Sequence, residues 1–89
     1  MKTELILKLM QAESVYHSLV CEYGELVVSL TNFAISIEVS ISLPCKEYDA
    51  YEIRQRYMNQ LHANVGTEII YHDKLNHDIL IFKWSKVCL

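Results

Sequence analysis

From Phe33 to Leu43 the chain alternates apolar with small or polar side chains without a break. Phe33, Ile35, Ile37, Val39, Ile41 and Leu43 fall on one side; Ala34, Ser36, Glu38, Ser40 and Ser42 fall on the other. Successive side chains of an extended backbone point to opposite faces, so this pattern specifies a strand with one face on a core and one face open. A run of that length spans roughly 36 Å, about twice the common strand length. Such a strand can overhang its neighbours and pair across a two-fold axis, and a homodimer is expected on that ground.

The same parity argument supplies a partner strand. Leu26, Val28 and Leu30 also alternate, but on even positions. A two-residue turn at Thr31-Asn32 pairs Leu30 with Phe33, Val28 with Ile35 and Leu26 with Ile37, which puts all six on one face of an antiparallel hairpin. A second hairpin is expected over 67–71 and 79–86, joined by the polar loop 72–78. If Asp73 opposes Asp78, one face collects Ile69, Tyr71, Leu80, Phe82 and Trp84, and the other Ile70, His72, Ile79, Ile81 and Lys83.

Two helices complete the chain. Leu5, Leu9, Ala12, Tyr16, Leu19 and Tyr23 recur at spacings of three and four over residues 3–23, and Gly24 follows as a stop. After Pro44, Asp49 with Glu52 three residues on makes a capping-box-like start. Ala50, Ile53, Tyr57, Leu61 and Val65 then form an apolar stripe that Gly66 closes. The order α-β-β-α-β-β predicts an α+β domain: a four-stranded antiparallel sheet with both helices on one face. Its 89 residues make a single domain, 1–89, and at 52% hydrophobic they suit a small, well-filled core.

Composition also excludes. Two glycines, both assigned to helix stops, leave none for a phosphate-cradling loop, and no Cys-x-x-Cys pair occurs. The net charge of −3 comes from the first half of the chain and no basic stripe exists, so nucleic-acid binding is disfavoured. Arg54 and Arg56, the only cations near exposed tyrosines, are offset by Glu47, Asp49 and Glu52. No run of about 20 apolar residues marks a membrane span, and Glu4 and Lys8 interrupt the only signal-like stretch. Three scattered cysteines (Cys21, Cys45, Cys88) fit reduced thiols of a cytoplasmic protein, two of them buried.

The candidate chemistry is sparse. His72 and His77 can approach across the hairpin loop, with Asp78 or Cys88 as a further metal ligand, but the spacing matches no established metal motif. Lys46 beside Cys45 is a weak reason to expect a lowered thiol pKa. Neither feature specifies catalysis, and no cofactor is expected.

The sheet faces say more. Helices can cover one side only, and the second hairpin is apolar on both. The open face is therefore expected to carry Ile70, Ile79 and Ile81 bordered by Tyr48 and Tyr51, and to bind protein. The expected function is a small non-enzymatic protein-binding domain that occludes or assembles a partner. In size and charge it is like inhibitor, immunity or phage and plasmid accessory proteins. The alternatives are a small metal-dependent enzyme using the His72/His77 loop and a nucleic-acid-associated regulator.

Overall fold

The computed structural model describes residues 2–61 and 64–87. Six elements follow in the order read from the sequence: α1 (Lys2–Tyr23), β1 (Val28–Asn32), β2 (Ser36–Pro44), α2 (Ala50–Met58), β3 (Val65–His72) and β4 (His77–Ser85). All strand neighbours are antiparallel, and the sheet runs β1-β2-β4-β3. The two hairpins thus join through β2 and β4, which lie at its centre. α1 lies over β1 and β2, and α2 over β3 and β4, so both helices occupy the same face.

The core is what the alternation demands. Ile37, Val39, Ile41 and Leu43 of β2 and Leu80, Phe82 and Trp84 of β4 are all but inaccessible, and Ala12, Val15 and Leu19 of α1 and Ala50, Ile53 and Tyr57 of α2 close over them. Fully burying one such large side chain is worth roughly 2 kcal/mol. Trp84 donates its indole N–H to Gln11 Oε1 at 3.1 Å, so the one polar atom of this ring is satisfied inside the layer. The side chain of Asp49 accepts from the amides of Tyr51 and Glu52, as an N-cap should.

Several boundaries differ from the sequence reading. β2 begins at Ser36, not Phe33, because the first hairpin turns at Ala34-Ile35: the amide of Phe33 donates to the carbonyl of Ser36 at 2.8 Å. The register is Val28↔Ile41 and Leu30↔Val39, six residues along from the expected one. Both registers keep the same parity, so the faces survive the shift. β2 is paired over its full length on β4, from Ser36↔Ser85 to Pro44↔His77, but on its other side β1 covers only Ile37–Ile41, so Ser42–Pro44 extend past that neighbour. Leu26 falls in a short 3-10 turn, Glu25–Val27, and is 96% exposed instead of joining the hairpin face.

The second helix is shorter than its stripe. It stops at Met58, and Val65 and Gly66 belong to β3, so Gly66 is not a helix stop. Val65 reaches the same core as a strand residue. The second hairpin closes at His72↔His77 around a four-residue turn, the length an Asp73–Asp78 pairing would also leave but with the register displaced by two residues, and Asn76 in that turn has φ 53°. On α1 the buried stripe centres on Val15, while Tyr16 and Tyr23 are only half-buried. Cys21 is exposed and Cys45 half-buried, so neither is a core thiol; Cys88 lies outside the described residues. No helix among the described residues is long and apolar enough to cross a membrane.

Candidate functional site

The face of the sheet opposite the helices carries the odd positions of β1 and β4 and the even positions of β2 and β3. Across it the register sets Ser29, Ser40, Ile81 and Glu68 in one row, and Ser42, Ile79 and Ile70 in the next. Thr31, Glu38, Lys83 and Gly66 form the row on the other side of Ile81. One half of the face is therefore short hydroxyls and the other half is a patch of three isoleucines. Ile70 is 45% exposed, while Ile79 and Ile81, on the central strand, are half-buried by their neighbours.

Local bonds hold the hydroxyl half flat. The Ser29 and Ser40 hydroxyls are 2.8 Å apart across β1 and β2, and the Ser42 hydroxyl lies 2.8 Å from His77 Nδ1. These side chains are tied to one another within the plane, so another layer can approach the backbone closely.

Beside Ile81 the face is indented. A hollow of about 210 Å³ is lined by Glu38, Gly66, Thr67, Glu68, Ile81 and Lys83. Its floor is Gly66, where the missing side chain leaves space. A Cβ there would meet only the Lys83 carbonyl, at an ordinary 3.8 Å. Two carboxylates and one ammonium line this hollow around an apolar wall.

Compared with protein-family models, with curated proteins and with solved structures, the chain matches none. Its function has to be argued from its own residues.

Of the five residues expected to contact a partner, the sheet brings Ile70, Ile79 and Ile81 together. Tyr48 and Tyr51 lie elsewhere. Tyr48 packs edge-on against Tyr23, ring centroids 5.1 Å apart, at the end of α1; Tyr51 is in the first turn of α2 under the Arg54 guanidinium. Both belong to the helical layer, across the sheet from the isoleucines.

The histidine loop is brought together only in part. His72 and His77 are cross-strand partners on the open face, but Asp78 pairs with Tyr71 and has the opposite parity. Among the described residues no group of three or more possible metal ligands exists. Asp78 instead acts on Cys45. Burial raises the Cys45 thiol pKa, and the Asp78 carboxylate, charged and hydrogen-bonded to it, raises it further. The expectation of a lowered thiol is thus reversed, because burial first and the Asp78 carboxylate second both disfavour the thiolate.

The cations proposed for nucleic acid are engaged too. Arg56 bonds Glu22 Oε2 at 2.7 Å and donates to the Tyr23 hydroxyl at 3.0 Å. Tyr57 donates to the other Glu22 oxygen at 3.2 Å. Burial first, and then the Glu22 charge, push the Tyr57 phenol up to about 12. This cluster fastens the end of α1 to α2. Sequence reading missed it because no periodicity links residues in two different helices. It missed the hollow because it assigned Gly66 to a helix stop, although a glycine inside an alternating run is itself a sign of close approach.

Proposed function

We propose that this chain is a non-enzymatic protein-binding domain that occludes or assembles a protein partner through the open face of its sheet. The observation that carries the reading is an apolar patch, Ile70, Ile79 and Ile81, with a charged hollow beside Ile81, on a face that none of the described helices covers. A monomeric domain can tolerate isolated exposed apolar residues, but a contiguous group beside a flat field of serines suits a second layer. The partner chemistry that fits is an apolar side chain flanked by a cation. The first fills the space above Gly66 and the second meets Glu38 and Glu68.

Capture from a lysate of the source organism tests this with two point variants. Ile81→Glu places a charge on the patch. Gly66→Ala places a methyl group, which the fold accommodates, at the lining of the hollow. The expected result is a stoichiometric partner on the wild type, lost from Ile81→Glu and weakened on Gly66→Ala, with unchanged circular dichroism in both. A partner retained equally by all three would contradict the proposed surface.

A further inference from the structure

A second surface lies at one end of the molecule. The Lys8 ammonium donates to the carbonyl of Ser85, the last residue of β4, at 2.7 Å. The amide of Lys86 donates to the carbonyl of Ile35 at 2.8 Å. These bonds set the first turns of α1 and the turn of the first hairpin at the same end of the sheet. That end is apolar: Leu5, Ile6, Leu7 and Met10 of α1 and Phe33 and Ile35 of the turn are each between 43% and 65% exposed.

The helix itself calls for a cover. Ile6 and Met10, one turn apart, lie on the side of α1 away from Ala12, Val15 and Leu19. With Leu5, Leu7 and Leu9 they widen the apolar side of its first three turns to more than half the circumference, Glu4, Lys8 and Gln11 holding the rest. An apolar side that wide is ordinarily packed against something, yet only Leu9 of these packs against the domain's own core. Six half-exposed large side chains present on the order of 600 Å² of apolar surface, at the upper limit of the largest patch on an ordinary monomer.

We infer that this end is a homodimer interface, in which the first turns of α1 and the hairpin turn pack against the same residues of a second copy. A two-fold interface must be complementary to itself, and a patch built of aliphatic and aromatic side chains meets its own image without opposing like charges. Its area approaches the roughly 800 Å² that each partner contributes to a standard interface. A lipid surface suits it less well. Membrane-surface helices carry a lysine- and arginine-rich polar face, whereas this chain has a net charge of −3. The nearby cations Lys8 and Lys86 are bonded to Ser85, Asn32 and Phe33. This surface is distinct from the isoleucine face, and the two stand or fall separately.

Sedimentation at rising, submillimolar concentration tests it. The wild type is expected to approach twice the 10.4 kDa of one chain. Ile6→Glu/Met10→Glu changes two exposed positions and should sediment as a single chain with an unaltered dichroism spectrum. Ile81→Glu should remain dimeric. A wild-type protein that stays at the mass of one chain overturns the inference whatever the variants do. So does a folded double variant that dimerises as well as the wild type, or wild-type protein that floats with phosphatidylcholine–phosphatidylglycerol vesicles.

Discussion

Tyr57 shows how one side chain can serve the core and a polar network together. Its ring packs on Phe82, centroids 5.8 Å apart, and its hydroxyl leaves the core to reach Glu22. Burial and the neighbouring carboxylate both disfavour the phenolate, and its folded pKa of about 12 stands above the ordinary phenol value of 10.0. The folded state therefore holds this proton more tightly than the unfolded chain. The stability it contributes is complete below the unfolded pKa and is lost as pH rises through the folded one. In an ultraviolet titration, one of the six tyrosines should ionise last, near pH 12, and Tyr57→Phe should remove that final step. Ionisation of all six together near their ordinary value would contradict the packing described.

At the scale of elements, parity proved more robust than position. Both hairpins sit at registers other than those expected, by six residues in the first and two in the second, yet every inward residue of β2 and β4 is inward as read. An even shift preserves faces, so alternation specifies a face far more strongly than a turn. What selects the actual turns is tertiary: pairing β2 on β4 along nine residues rather than maximising the first hairpin alone. The end of α2 was illegible for a related reason. Leu61 and Val65 continue its apolar spacing, but the core they reach is shared, and Val65 enters it from a strand. Likewise the isoleucine face could be read from alternation, whereas the separation of Tyr48 and Tyr51 from it depends on where α2 lies.

The two glycines test these assignments against each other. Gly24 has φ 93° and ψ 153°, a region in which a side chain is strained, and it ends α1 there. Gly66 has no such constraint and sits in a strand, where alanine is the better residue. Gly24→Ala should lower unfolding stability in urea by about 1–3 kcal/mol. Gly66→Ala should leave it unchanged or slightly raised. The opposite ranking would return Gly66 to the helix end that its sequence suggested.

For the whole molecule, one sheet separates two kinds of commitment: a face spent on the domain's own core and a face left for something else. Leu80 and Ile81 are neighbours in β4 and belong to opposite faces. Leu80 is fully buried, so a carboxylate there is an unpaired buried charge, among the few changes that cost more than about 4 kcal/mol. Ile81 faces the hydroxyl field and the hollow, where a carboxylate stays in water. Thermal unfolding of Leu80→Glu and Ile81→Glu, side by side in the isolated protein, measures the difference directly. Leu80→Glu is expected to abolish cooperative unfolding or lower its midpoint by about 15 °C or more, at roughly 4–8 °C per kcal/mol for a domain of this size, while Ile81→Glu stays within a few degrees of the wild type. Equal loss from the two substitutions would mean that the outer face is already buried, and would contradict a surface held open for a partner.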